Sequence, residues 1–271
     1  MNKYLRLFRF GNGLMGIIGL LVSIYIAVGT DMFDQWLRIL IGCVIVLAFV
    51  AGGNSINDYI DAEIDKTAHP DRPVPKGEIT ATMARNLGIG GLVLATILAI
   101  PLGWFCAALV LVCSVMMFSY EVLLKQRGFI GNICIAVLTG AVFIFAGSIV
   151  NDISKIWILG LLAGLVSVGR EISKDIEDMD SDKGSRITLP MAIGTKKAAT
   201  IAAVFYVLGP ALSFIPFIDS MLGPLYAVVI VADILFIYCA VLVFKDAHKS
   251  AKIAKIAMFV ALISFILGVA I

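Results

Sequence analysis

Acidic side chains cluster in two short segments of this 271-residue chain. Six acids lie between positions 58 and 78 and six lie between 171 and 182, so these segments hold twelve of the nineteen Asp and Glu residues. Each segment directly follows a long apolar stretch, which predicts a helix that carries acids on its last turns. Negative charge at a helix C-terminus opposes the helix dipole, and therefore a cation is expected to compensate it.

Helical phase predicts which of these side chains point the same way. At about 100° per residue, the first helix end presents a first acidic face formed by Asn54, Asn57, Asp61 and Asp65. Glu63 points away from it. The second helix end presents a second acidic face formed by Glu171, Asp175, Asp178 and Asp182, whereas Glu177 and Asp180 lie on the opposite side.

Stacked carboxylates favour a bound metal ion. They raise one another's pKa unless a cation lies between them. Oxygen ligands in this number suit Mg²⁺, which proteins hold with a few carboxylates together with substrate phosphates. Either face alone could equally be a solvated helix end, but the occurrence of two favours metal binding. The predicted metal ligands are Asn57, Asp58, Asp61, Asp65, Glu171, Asp175, Asp178 and Asp182.

The two acidic segments are spaced like a repeat. Asp175 follows Asp61 by 114 residues and Asp182 follows Asp65 by 117, which predicts two pseudo-repeated halves. A basic loop with Pro and Gly follows each segment. These loops could place Arg72, Lys76, Lys183 and Arg186 over the metal site, where they would neutralise phosphate oxygens. The alternative is that their charge only reflects the preference of positive residues for cytoplasmic loops.

The rest of the chain is suited to a lipid bilayer. With 61% apolar and 15% charged residues and a mean hydropathy of +1.02, it is too hydrophobic for a soluble core of this size. An all-α membrane bundle of nine helices is predicted, with spans at about 13–29, 37–56, 87–100, 102–124, 129–150, 156–174, 198–218, 224–244 and 255–271. A kink instead of a turn at Pro101-Leu102-Gly103 would give eight.

The distribution of Lys and Arg favours the nine-span arrangement. With the N-terminus in the cytoplasm, 19 of the 21 Lys and Arg residues fall on the cytoplasmic side, and only Arg38 and Lys155 fall outside. We therefore predict one membrane-embedded domain over 1–271, with its motif loops, at about 57–86 and 170–197, on the cytoplasmic side. Membrane lipids are its expected surroundings, and no nucleic-acid partner is expected.

Both acidic segments resemble the signatures of a known family. The run from Asn57 to Asp65, followed by Arg72-Pro73-Val74-Pro75-Lys76-Gly77, resembles the first signature of the UbiA-type intramembrane prenyltransferases. The run from Arg170 to Asp182 resembles the second. Within the superfamily, the form Arg-Glu-x-x-Lys-Asp-x-x-Asp, with Thr188-Leu189-Pro190 after it, is most similar to archaeal digeranylgeranylglyceryl phosphate synthases.

Three shorter elements extend the resemblance. Arg9-Phe10-Gly11-Asn12 resembles the family's Arg-Pro-x-Asn element, with Phe in place of Pro. Tyr120 to Lys125 resembles its Tyr/Lys element, with the pair spaced one residue wider than is common. Gly131-Asn132 also matches. The resemblance implies a catalytic set of Asp61, Asp65, Asp175, Asp178 and Lys125, and substrate-binding roles for Arg9, Asn12, Asn54, Arg72, Lys76, Tyr120, Lys125, Arg127, Asn132, Lys174, Lys183 and Arg186.

The implied reaction is Mg²⁺-dependent transfer from a prenyl diphosphate donor to a lipid-like phosphate acceptor at the cytoplasmic side of the cell membrane. Lys3, Arg6 and Arg9 are candidates for the acceptor phosphate, and the prenyl tail could contact Met116, Met117, Phe118, Phe143 and Phe145, for which ordinary packing is the alternative. Rival functions are prenyl transfer to an aromatic acceptor, such as a quinone, chlorophyll or haem precursor, and cation transport. Transporter sites usually lie near the bilayer midplane, which disfavours transport.

Overall fold

The computed structural model describes residues 2–180, 182 and 187–269. In these ranges the chain forms nine helices of fourteen residues or more, joined by short helices and turns. They are α1 (Phe10–Val28), α2 (Trp36–Ile60), α3 (Ala81–Ala99), α4 (Trp104–Val122), α5 (Phe129–Ile149), α6 (Trp157–Glu177), α7 (Thr195–Leu212), α8 (Val229–Leu242) and α9 (Ala247–Val269). The predicted all-helical class is therefore confirmed for the described part of the chain.

Length and apolar composition mark the chain as a multi-pass membrane protein. Seven stretches of the described residues are long and apolar enough to cross a bilayer. One of them, Phe10–Ile60, contains both α1 and α2, which the 3₁₀ segment Gly29–Gln35 joins. Helix α6 is not among the seven, because its second half carries charged residues, the second acidic face among them. Nine membrane crossings therefore remain a prediction.

The apolar run 87–124 contains a turn and not a kink. Helix α3 ends at Ala99, a 3₁₀ turn covers Ile100–Leu102, and α4 begins at Trp104. Between them Gly103 has φ of 124°, a backbone conformation that residues with a Cβ rarely adopt. The chain thus reverses direction at the position that Pro101-Leu102-Gly103 predicts.

Two helices begin well before the predicted spans. Helix α3 starts at Ala81 instead of 87, after Thr80 accepts a hydrogen bond from the backbone N–H of Met83 at 3.2 Å. Helix α9 starts at Ala247 instead of 255, because the intervening Ala and Lys residues favour helix although they are too polar for an apolar span. Lys255 consequently lies eight residues inside α9 and not in a loop.

Arg38 joins the ends of other helices. Its Nε donates to the carbonyl oxygen of Ile149 at 2.9 Å, and its Nη2 donates to that of Leu102 at 2.8 Å. Carbonyl groups at helix C-termini lack partners within their own helix. This structural role accounts for one of the two basic residues that the topology prediction leaves outside.

The helices that carry the acidic faces pack closely on their neighbours through glycine. A Cβ on Gly140 of α5 would lie 2.6 Å from the carbonyl oxygen of Gly160 on α6, and one on Gly52 of α2 would lie 2.9 Å from that of Gly88 on α3. Small residues allow helix backbones in membranes to approach this closely. These contacts fix α2 and α6 relative to the helices beside them.

We expect Gly140→Ala to lower the stability of the protein by about 1–3 kcal/mol, because its methyl group would force α5 and α6 apart. Gly90→Ala is the matched control, since a Cβ there has no atom within 4 Å. Thermal unfolding in detergent measures both variants. Equal midpoints for the two variants would show that the close approach of α5 and α6 is not required.

Candidate active site

Both acidic faces lie at the C-terminal ends of long helices, as predicted. Asp61 directly follows α2, its backbone N–H donates to the carbonyl oxygen of Asn57 at 2.9 Å, and the N–H of Asp65 donates to Asp61 at 2.8 Å. Asp178 ends α6 in the same way, with its N–H donating to Lys174 at 2.8 Å. The helical turn thus continues past each helix end and orients the acids.

The acids predicted to point away from the two faces are exposed. The side chain of Glu63 is 84% exposed and pairs with Lys66. Glu177 and Asp180 are exposed as well. Asp65 and Asp175 are buried, which agrees with the phase argument at both helix ends.

Asn57 lies at the centre of the first acidic face. Its Oδ1 accepts a hydrogen bond from Nη2 of Arg9 at 2.7 Å, and its Nδ2 donates to Asp61 at 3.1 Å and to Glu121 at 3.0 Å. Lys125 donates to Asp61 and lies 3.4 Å from Glu121. Side chains from α2, α4 and the N-terminal segment therefore meet in one hydrogen-bonded cluster.

Arginine side chains neutralise the buried acids beside this cluster. Asp58 and Asp65 have only 2% and 4% of their side chains exposed. Arg72 pairs with Asp65 and lies 3.6 Å from Asp58, while Arg9 lies 2.9 Å from Asp58. Buried carboxylates need such partners, because an unpaired charge in a low-dielectric interior is strongly unfavourable.

The second acidic face has its own cations and amide. Glu171 accepts hydrogen bonds from Arg170 and Lys174, each at 2.8 Å. Asp175 accepts one from Nδ2 of Asn132 at 2.9 Å, and within the described residues the buried Oδ1 of Asn132 has no partner. An amide oxygen without a partner in this position could accept a hydrogen bond or bind a cation.

One segment of the chain, 121–132, contacts both acidic faces. Glu121 and Lys125 contact the first face, and Asn132 contacts the second. The segment folds tightly, because a Cβ on Gly131 would lie 2.8 Å from the carbonyl oxygen of Leu124 and Gly128 has φ of 54°. The two acidic helix ends therefore converge on the same short stretch of chain.

The carboxylates are arranged in pairs with cations. Over the described ranges, 2–180, 182 and 187–269, no three side chains of His, Cys, Asp and Glu form a group that could hold a metal ion as they stand. The donor atoms are nevertheless of the type that Mg²⁺ prefers, since carboxylate and amide oxygens occur at both faces.

The other predicted binding residues contact groups outside the two acidic faces or lie outside the described residues. Asn54 donates to the carbonyl oxygens of Phe8 and Val50, at 3.1 and 2.9 Å, and therefore fixes the N-terminal segment. Lys76 is exposed and pairs with Asp71 at 2.8 Å; its hydrogen bond and charge lower the pKa of that carboxyl group. Lys183 and Arg186 lie outside the described residues.

Tyr120 directly precedes the segment 121–132, and Arg127 lies within it. Tyr120 is half-buried near the end of α4. Arg127 is exposed, and its backbone forms an isolated parallel bridge with Ile187. This bridge places the chain that follows the second acidic face beside the segment 121–132.

The cations of the N-terminal segment are already bound to acidic partners or carbonyl oxygens. Arg6 pairs with Glu78, and Lys3 donates to the backbone oxygen of Glu78 at 3.1 Å. Arg9 pairs with Asp58. These contacts attach the N-terminal segment to α2 and to the loop after it, and the role of these cations at an acceptor phosphate stays a prediction.

An apolar cavity of about 490 Å³ lies between the helices. Met117, Phe143 and Phe145 line it, as the sequence suggested, whereas Met116 and Phe118 are not among its lining residues. Glu171 of the second acidic face and its neighbour Arg170 line one part of it. The cavity is therefore an apolar space, suited to a lipid tail, that extends to the second acidic helix end.

The same cavity reaches the protein surface. Four of its lining residues are exposed: Asn12 and Met15 on α1, and Lys255 and Phe259 on α9. An opening between α1 and α9 follows. Elsewhere in the cavity the buried Asp233 accepts a hydrogen bond from Ser213 at 2.8 Å.

Sequence reasoning assigned no role to Glu121, yet it is buried and bonds to both Asn57 and Lys125. The signal was its position, because an acid inside an otherwise apolar span is rare without a function. Lys255 was also given no role, because the predicted span began at this residue and its charge was counted with the preceding loop.

Comparisons with known proteins show the family of the chain. Residues 17–263 match the UbiA prenyltransferase family, and the chain belongs to this family. It is 36% identical to digeranylgeranylglyceryl phosphate synthase of Methanosphaera stadtmanae, over 99% of both chains. It is 38% identical to the enzyme of the same name from Methanosarcina mazei, again over 99% of both.

Solved structures share the fold. One of a digeranylgeranylglyceryl phosphate synthase in membranes superposes with a TM-score of 0.83 and 33% identity, covering 98% of this chain and 97% of the other. A UbiA homologue from Archaeoglobus fulgidus bound to GPP and Mg²⁺ gives 0.74 at 16% identity, with both chains fully covered. The chain is thus a multi-pass membrane prenyltransferase.

Substitutions at the first helix end test the helical-phase argument. Asp61→Ala should lower prenyl transfer by about a hundredfold or more, because it removes a carboxylate from the acidic face. Glu63→Ala should retain most of the activity, since this side chain is 84% exposed. Initial rates of product formation measure both, and similar losses in the two variants would contradict the assignment.

A pair of substitutions at the second helix end provides an independent test. Asp175→Ala removes the buried acid that Asn132 contacts and should abolish turnover, whereas Asp180→Ala, at an exposed position, should leave most of it. Turnover is measured in protein that shows wild-type thermal unfolding. An active Asp175→Ala enzyme would exclude the second acidic face from the site.

Proposed function

We propose that the protein transfers a geranylgeranyl group from geranylgeranyl diphosphate to geranylgeranylglyceryl phosphate, with Mg²⁺, and so forms the second ether of archaeal membrane lipids. The observation that carries this proposal is the convergence of two acidic helix ends on the segment 121–132, beside an apolar cavity. The relatives that bear the name of this activity match the chain over nearly its whole length, which supports the choice of acceptor.

Two sets of oxygen ligands are available for metal ions. One Mg²⁺ would be held at the first helix end by Asn57, Asp61 and Asp65, with Asp58 beside them. A second would be held at the other helix end by Asp175, Asp178 and Asp182, with Glu171 beside them. Bound there, Mg²⁺ neutralises negative charge on a departing diphosphate. The amide of Asn57 contributes a neutral oxygen and so limits the net charge of the first set.

Basic side chains around the acids supply contacts to phosphate oxygens. Arg9, Arg72 and Lys125 now pair with Asp58, Asp65 and Asp61. Charge-assisted hydrogen bonds of these groups to the diphosphate would stabilise the charge that develops as the allylic C–O bond breaks. Lys125 is placed best for this role, because it contacts the first face from the segment that also reaches the second.

The apolar cavity serves the carbon chain. Breaking an allylic C–O bond leaves a cationic carbon that water would quench, and the wall that includes Met117, Phe143 and Phe145 keeps water away. Aromatic ring faces also stabilise positive charge. The hydroxyl group of the acceptor then attacks this carbon, and a carboxylate of the acidic faces or the released diphosphate takes its proton.

The arrangement in the membrane belongs to the same proposal. A single domain over 1–271 crosses the cell membrane nine times, with the N-terminus and both acidic faces on the cytoplasmic side. The positions of Lys and Arg support this orientation. It would give the site access to a water-soluble diphosphate head group and to lipid tails at once.

Purified protein in lipid nanodiscs, given Mg²⁺, geranylgeranyl diphosphate and geranylgeranylglyceryl phosphate, should form digeranylgeranylglyceryl phosphate. Chelation of the metal should abolish the product, and added Mg²⁺ should restore it. Mass spectrometry of the lipid fraction detects the ether. Prenylation of an aromatic acceptor with no ether product would refute the proposed acceptor, and undiminished activity after chelation would refute the metal requirement.

A further inference from the structure

Helices α6 and α9 pack against each other, and a contact between the end of one and the start of the other indicates an antiparallel alignment. His248 near the start of α9 pairs with Glu177 at the end of α6. Seven residues is almost two turns, about 10.5 Å along a helix, and returns to nearly the same face. Arg170 is seven residues before Glu177 and Lys255 is seven after His248, so helix geometry predicts a similar depth for the two cations.

Both cations line the central cavity. Arg170 donates through Nη1 to Glu171 at 2.8 Å, but its buried Nε has no hydrogen-bond partner among the residues the structure describes. Lys255, within the same described part of the chain, forms no ion pair. Lys255 is exposed and lies two turns after the start of α9, where the predicted membrane span begins.

Two cations, Arg170 and Lys255, and two acids, Glu171 and Asp233, line the cavity. Both acids already accept hydrogen bonds, Glu171 from Arg170 and Lys174 and Asp233 from Ser213. Among the described residues, the Nε of Arg170 has no such partner and could donate to an anion. Arg170 lies five residues before Asp175, about 7.5 Å away along α6, and contacts Glu171 at the inner edge of the second acidic face.

We propose that Arg170 and Lys255 bind the phosphate of the lipid acceptor, an inference that rests on the proposed function. The cavity opens between α1 and α9 beside Lys255, where a membrane lipid can enter sideways, and Asn12 at the same opening adds a polar side chain. A guanidinium group and an ammonium group together suit a phosphate monoester.

Equilibrium binding in nanodiscs of neutral lipid tests the pair without relying on turnover. The probes are geranylgeranylglyceryl phosphate and its phosphate-free analogue, geranylgeranylglycerol. Wild-type protein should bind the phosphate form at least about tenfold more tightly, and Lys255→Gln should remove about tenfold of this preference while binding the analogue normally. Lys255→Arg should retain the preference.

Lys252→Gln is the matched control, because Lys252 is exposed on the same helix and does not line the cavity. It should bind both probes as the wild type does. No phosphate preference in the wild type, or equal weakening of both probes by Lys255→Gln, would overturn the inference. A third result would also overturn it: weaker binding of a non-reactive thio-analogue of geranylgeranyl diphosphate by Lys255→Gln. Arg170 and Lys255 would then bind the donor and not the acceptor. Absence of ether product from wild-type protein would instead refute the proposed function.

Discussion

The structure depends on the compensation of carboxylates that lie where a helix favours positive charge. Asp61 and Asp178 each cap a long helix at its C-terminus, and neighbouring acids are buried beside them. Lys125 and Arg72, which come from other parts of the chain, compensate the first end. Folding thus brings together oppositely charged groups that are strong ligands for metal ions and for phosphates, and the same groups can exchange partners when a substrate binds.

This compensation requires the helices to be held in fixed positions. The backbone contacts of Gly140 with Gly160, and of Gly52 with Gly88, lock α6 and α2 against their neighbours. The segment 121–132 can then contact both acidic ends at once. A site divided between two helix ends needs such rigid support, because a displacement of about 1 Å is enough to weaken catalysis greatly. The close packing of the helices is therefore a requirement for the chemistry of the site.

The sequence predicted the parts of the site that depend on local geometry. Helical phase alone separated buried Asp65 and Asp175 from exposed Glu63, and the turn after Ala99 followed from its Pro and Gly. Which acid each distant residue contacts could not be predicted, because Arg9, Lys125 and Asn132 reach the acids from segments far away in sequence. Lys255 was misplaced because hydropathy detects where a helix becomes apolar and not where it begins. The nine crossings and their orientation rest on charge distribution alone.

In the proposed site, each helix end holds one metal ion, and both ions bind the same diphosphate. Counting bound Mn²⁺ by electron paramagnetic resonance, with a non-reactive thio-analogue of geranylgeranyl diphosphate present, tests this arrangement most directly. The account predicts two ions per chain in the wild type and one in each of Asp61→Asn and Asp175→Asn. Two ions in either variant, or binding that does not depend on the diphosphate, would contradict it.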